Sequence, residues 1–112
     1  MGEKGAKAGQ SAAETCERVV RDLTPLGDVS SRKMFGGYGI FESSAMFALV
    51  NSQGDLFLKV DDTNRSRFAD AGAEQHGKMP YFQVPAKVME DSDALKDWAG
   101  VSLQIAHAAK KK

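Results

Sequence analysis

The groups in this chain best suited to nucleophilic or metal chemistry are the thiol of Cys16 and the imidazoles of His76 and His107. They stand far apart in sequence and lack the paired spacing of a zinc site. Cys16 also falls on an apolar helical stripe, which predicts a buried structural thiol. His76, in a glycine-flanked loop, and His107, near the end of the chain, read as surface histidines. None of the nine serines stands in a Gly-x-Ser-x-Gly elbow. The adjacent carboxylates Asp61-Asp62 and Glu90-Asp91 fall at helix starts and loops, where capping accounts for them. The run Gly36-Gly37-Tyr38-Gly39 lacks both the glycine spacing and the following helix of a dinucleotide loop. The expectation is a non-enzyme with no metal and no cofactor.

The chemistry that remains is contact. The stretch Ser31-Arg32-Lys33-Met34-Phe35-Gly36-Gly37-Tyr38-Gly39-Ile40-Phe41 holds two cations, three aromatics and three glycines. Glycine in an extended segment costs conformational entropy and supplies nothing to pack. So many together predict positive φ, a bulge, or close approach of another chain. Arg32, Lys33, Lys59, Arg65 and Arg67 come from neighbouring strands and the helix after them. With Phe35, Tyr38 and Phe41 they would form a basic and aromatic surface. The candidate binding residues are Arg32, Lys33, Phe35, Gly36, Gly37, Tyr38, Lys59 and Arg65. The glycines would let a partner approach the backbone, and the cations would meet acidic or phosphate groups. Snorkelling explains Lys59 equally well, because it is an isolated cation on an apolar face. Fifteen basic and fifteen acidic residues cancel, so any DNA contact is expected to be weak and salt-sensitive.

The elements that must position these residues follow from the patterning. Residues 1–10 carry no bulky side chain after Met1 and read as a disordered tail. Ser11 to Glu14 reads as a capping box, followed by an apolar stripe of Cys16, Val19, Val20 and Leu23. Pro25 should stop that helix near Leu23. Short β-type runs follow near 31–35, 38–42, 45–51 and 55–60, with tight connections that favour a meander and with Gly54 at positive φ. Asp61 to Asn64 offers caps for a short helix that contains Phe68 and stops at Gly72. Residues 79–84 read as a last strand at a sheet edge, since Pro80 lacks a donor. A helical turn over 86–90 and a longer helix capped by Ser92 complete the domain. The stripe of that helix is Leu95, Trp98, Ser102, Ile105 and Ala109, and residues 110–112 form a basic tail. The fold class is α+β: an antiparallel sheet of about five strands, with N- and C-terminal helices packed on it.

At 112 residues this is a single domain over 11–109, long enough for its own core. One cysteine excludes a disulfide framework and fits a reducing compartment. No apolar run is long enough to span a membrane and no signal-peptide core precedes the fold, so no membrane contact and a cytoplasmic location are expected.

The glycine-rich stretch also resembles the signature of the TfoX/Sxy family's N-terminal domain. Further similarities follow in order: Met46 to Val50, Leu56 to Arg65, Phe68 with Ala71-Gly72, Met79-Pro80-Tyr81, Val84-Pro85, and Leu95 with Trp98-Ala99. The likeness spans roughly residues 14–109. It implies an α+β domain of bacterial regulators of natural competence, which promote transcription at promoters that also need the cyclic-AMP receptor protein. Two-domain members continue into a helical second half. The sequence ends at Lys112 without one, so a stand-alone N-terminal domain is expected. The implied partners are the transcription machinery or a receptor-type regulator protein. The alternatives are a self-associating module, a homodimer joined through the edge near 79–84, and a small-molecule-binding domain.

Overall fold

The structure, a computed structural model, describes residues 8–34 and 36–110. Helix α1 spans Ala8–Leu23, so Ser11 lies inside the helix and is not its cap. Of the tail expected over 1–10, residues 1–7 lie outside the described residues and 8–10 belong to α1. Ala12, Cys16, Val19 and Leu23 are buried at the spacing of one helical stripe. A single 3-10 turn, Thr24–Leu26, carries Pro25 and leads into the sheet; the sequence reading had no element there.

The strands are β1 (Val29–Met34), β2 (Gly37–Glu42), β3 (Ala45–Val50), β4 (Leu56–Lys59) and β5 (Tyr81–Gln83). They lie side by side in chain order, and every neighbouring pair is antiparallel. The expected meander is therefore the topology, although β1 starts two residues earlier than expected. Short turns make this the simplest arrangement, with Gly54 at φ 88° and Gly36 at φ 75° where side chains are disfavoured. A register shift bulges β3 against β2: Ile40 faces Ala48 but Phe41 faces Met46, which leaves Phe47 as the extra residue.

Helix α2 (Arg65–Asp70) lies between β4 and β5, and α3 (Ala86–Met89) and α4 (Ser92–Lys110) follow β5. The cap of α4 is Asp91 and not Ser92, because the Asp91 Oδ1 accepts from the amides of Asp93 (3.0 Å) and Ala94 (3.3 Å). Its buried stripe is Leu95, Ala99, Ser102 and Ala106, with Ile105 beside it. Trp98 is only half-buried and Ala109 is exposed, which turns the helix slightly from the expected stripe. Of the basic tail, Lys111 and Lys112 lie outside the described residues.

The two faces of the sheet differ. The α1 and α4 residues cluster with Ile40, Phe47, Ala48, Val50, Leu56 and Leu58 in the main core, joined by Phe68 and Val88. Among the described residues, the apolar cluster of the opposite face is Leu49, Phe57 and Tyr81, flanked by Met46 and Met79. β3 is covered on both sides, as its unbroken apolar run predicts.

Edge strand β5 is not open. Its Tyr81 carbonyl accepts from the His76 amide (2.8 Å), and its Gln83 amide donates to the Glu74 carbonyl (2.8 Å). A bridge between Gln75 and Phe82 completes this cover. The homodimer edge expected near 79–84 is thus already occupied by the chain's own residues 74–76. Arg18 donates to the Met89 carbonyl at the end of α3 and pairs with Asp22 at 3.3 Å.

Gly37 is buried, and a Cβ there would stand 2.0 Å from the backbone carbonyl oxygen of Val50. Gly100, inside α4, would meet nothing within 4 Å. Gly37→Ala should therefore lower the unfolding free energy in urea by about 3 kcal/mol. Gly100→Ala should raise it by about 0.5–1 kcal/mol through its helix preference. Equal effects from the two substitutions would sink this account of Gly37.

Candidate functional site

The candidate residues group around the β1–β2 hairpin, and their placement follows from its register. Arg32 stands opposite Gly39 and Lys33 opposite Tyr38. Successive strand side chains point to opposite faces, so the two cations diverge. Both are exposed. The Arg32 guanidinium lies over the Phe41 ring, 5.0 Å from its centroid. Gly39 leaves a hollow that its neighbours fill: a Cβ there would come within 2.7 Å of the Met34 sulfur and 3.2 Å of the Met46 sulfur. Tyr38 packs against the main core. Gly36 is exposed at its positive φ. The close approach that Gly37 permits is to the chain's own β3, and the residue is buried. Phe35 lies outside the described residues.

The remaining cations do not join this group. Lys59 shares the sheet face of Arg32 but is three strands away, roughly 14 Å at the usual strand spacing. Its ammonium lies 5.4 Å from the Tyr81 ring centroid. Arg65 opens α2 and pairs with Asp62 at 3.1 Å. Arg67 sits over Trp98 (4.9 Å) and faces Asp97 at 3.7 Å. The five cations that the sequence grouped thus reduce to an exposed pair, Arg32 and Lys33, on one edge strand.

A cleft of about 380 Å³ opens beside the hairpin, lined by Met34, Tyr38, Leu49, His76 and Met79 among others. His76 is half-buried, with its ring edge-on to Phe57 at 4.8 Å, and is not the free surface histidine expected. Burial pushes the Cys16 thiol up, away from thiolate, which fits its structural role. Burial likewise raises the Tyr81 hydroxyl to about 12, and the hydroxyl donates to the Met46 carbonyl at 3.3 Å. Among the described residues there is no group of three or more metal-ligating side chains. What this surface offers is contact chemistry: two cations, an aromatic under one of them, and polarizable methionines.

One ionisable pair was not legible in the sequence. His107 Nε2 lies 2.6 Å from Glu42 Oε1, while Glu42 Oε2 accepts from the Asp28 amide at 2.9 Å. The pair ties the end of α4 to the approach to β1, across 65 positions of sequence. No local pattern encodes such a partner.

A five-strand meander backed by helices from both ends of the chain, with one exposed edge strand, defines a small α+β domain. The chain belongs to the TfoX N-terminal domain family, whose model matches residues 21–106. Over 59 residues it is 37% identical to the DNA transformation protein TfoX1 of Aliivibrio fischeri (strain ATCC 700601 / ES114). That stretch is 53% of this chain and 28% of the relative, so the likeness spans less than a third of the relative's length.

The Asp28 amide first, and His107 second, hold the Glu42 carboxyl below its ordinary value of 4.5. A depressed carboxylate adds stability that is fully present above the unfolded value and is lost as pH falls through the folded one. The melting temperature should therefore drop as pH falls below about 4.5. Glu42→Gln should make that drop shallower. An identical acid limb in both proteins, followed by circular dichroism, would remove Glu42 from this role.

Proposed function

We propose that this domain is a non-enzymatic contact module of a competence-type transcription regulator, and that it works by docking to a protein rather than by gripping DNA. Membership of the TfoX N-terminal domain family and the likeness to a DNA transformation protein support the regulatory setting. The docking mode rests on one observation: Arg32 and Lys33 are exposed together on an edge strand, while Arg65 and Arg67 are engaged by carboxylates. DNA affinity grows with the number of phosphates contacted, and two cations on a neutral chain make few. A protein partner in the transcription machinery, or a receptor-type regulator at its promoters, needs only a local complementary patch.

The test is a gene deletion in the native host, complemented with the wild-type chain or with Arg32→Ala/Lys33→Ala. The wild type should restore transcripts of the DNA-uptake genes, and the double variant should restore them at least several-fold less. Its melting temperature should stay within about 2 °C of wild type, as expected for exposed substitutions. Deletion without any effect on those transcripts overturns the proposal. A double variant that loses melting temperature in step with transcripts makes the two residues structural.

A further inference from the structure

We infer that the outer edge of β1 receives an extended acidic segment of a partner protein, which adds to the sheet as a sixth strand. The inference rests on the protein-docking reading above and names the chemistry of the partner.

The hydrogen-bonding parity of β1 carries the argument. The Ser43 amide donates to the Asp28 carbonyl at 2.9 Å, and these residues fall on the same register as Val29 with Glu42. In an antiparallel ladder, directly opposed pairs alternate between hydrogen-bonded and open. The pairs Ser30–Phe41, Arg32–Gly39 and Met34–Gly37 therefore turn their backbone groups toward β2. Val29, Ser31 and Lys33 turn theirs outward. The Val29 amide confirms the parity, because it bonds the Gly27 carbonyl at 3.0 Å instead of β2. The N–H and C=O of Ser31 and Lys33 remain as the outward edge, with no strand beside them among the described residues. Residues 30–33 are all exposed. The far edge of the sheet, at β5, is filled by residues 74–76.

Charge selects the occupant. Arg32 and Lys33 project from opposite faces of this edge, and among the described residues neither meets a carboxylate. An incoming strand with two consecutive acidic residues places one on each face, beside each cation. A second copy of this chain fits less well. A two-fold pairing that engages both Ser31 and Lys33 sets Arg32 directly opposite its own counterpart. A pairing centred on Ser31 avoids that clash but calls on the Val29 amide, which is already donated to Gly27. Strand addition to an open edge, with side chains setting specificity, is an established mode of peptide recognition.

The probe is a labelled octapeptide carrying an Asp-Glu pair flanked by Val and Thr, titrated by fluorescence anisotropy at low salt. Ser31→Pro deletes one outward N–H and leaves the inward ladder intact, a substitution that edge strands accept. It should weaken binding at least tenfold with the melting temperature unchanged. Arg32→Glu with Lys33→Glu should do the same, and a Lys-Lys version of the peptide should not bind wild type. Independently of any variant, bound peptide should slow hydrogen exchange of the Ser31 and Lys33 amides at least tenfold, and leave those of Arg32 and Met34 unaltered. No binding overturns the inference, as does binding indifferent to Ser31→Pro. A concentration-dependent dimer in sedimentation that Ser31→Pro abolishes would assign the edge to a second copy and overturn the acidic partner. Transcription is not read here, so failure of the peptide leaves the regulator reading standing. A silent gene deletion would fell that reading alone.

Discussion

The carbonyl of Lys59 is the point on which the fold turns. The ladder between β3 and β4 ends at the pair Ala48–Leu58, so the next carbonyl along has no strand partner on that side. Left unpaired inside the protein it would cost free energy comparable to a lost hydrogen bond. Two buried side chains satisfy it: Ser102 donates through Oγ at 2.7 Å, and Asn64 through Nδ2 at 3.2 Å. Asn64 in turn accepts the Asp61 amide at 2.9 Å, which fixes the turn into α2. Ser102 and Asn64 are the buried polar residues of an otherwise apolar core, with exposures of 0% and 3%. One oxygen thus sets where β4 ends, how the chain leaves the sheet, and at what height α4 crosses it.

That fixed crossing explains why the two sheet faces differ so much. With α4 anchored at Ser102 and α1 packed beside it, all the large aliphatic side chains of the helices fall on one side. The other side keeps a thin apolar layer of Leu49, Phe57 and Tyr81, finished with methionines and crossed by the segment that carries His76. Methionine suits this position because it is flexible and polarizable, and it fills the hollow above Gly39 without a fixed shape. The glycines serve the same geometry. Gly37 lets β2 pass close to the end of β3, and Gly36 takes the positive φ of the hairpin turn.

Much of this was legible in the residues. The meander, Gly54 and Gly72 at positive φ, and the burial of Cys16 and Phe68 all follow from short local patterns, whereas the last strand is shorter than 79–84 and excludes Pro80. Local rules reach that far. Helix starts were misplaced where a neighbouring residue could fill the same role. Helix α1 begins before Ser11, and Asp91 caps α4 in place of Ser92. The site was less legible. Types and spacing picked out Arg32 and Lys33, but grouped them with Lys59 and Arg65, which the sheet order and the Asp62 pair keep apart. Which backbone groups of β1 face outward depends on hydrogen-bond parity, and parity leaves no mark on composition. The Glu42–His107 contact and the reach of Arg18 to Met89 span 65 and 71 positions, and only the assembled fold brings them together.

The order of the strands bears on how the chain is made. Each of β2, β3 and β4 pairs with the strand immediately before it, so residues 29–59 can form most of the sheet as soon as they leave the ribosome. The side chains that cover it come from the two ends. Those of α1 are already present at that moment, whereas Leu95, Ala99 and Ala106 are synthesised last. Until α4 is made, the β3 and β4 half of the inner face lacks the helix that covers most of it. A nascent chain of this design is most vulnerable to mispairing in that interval, and its C-terminal helix acts as the closing piece that ends it.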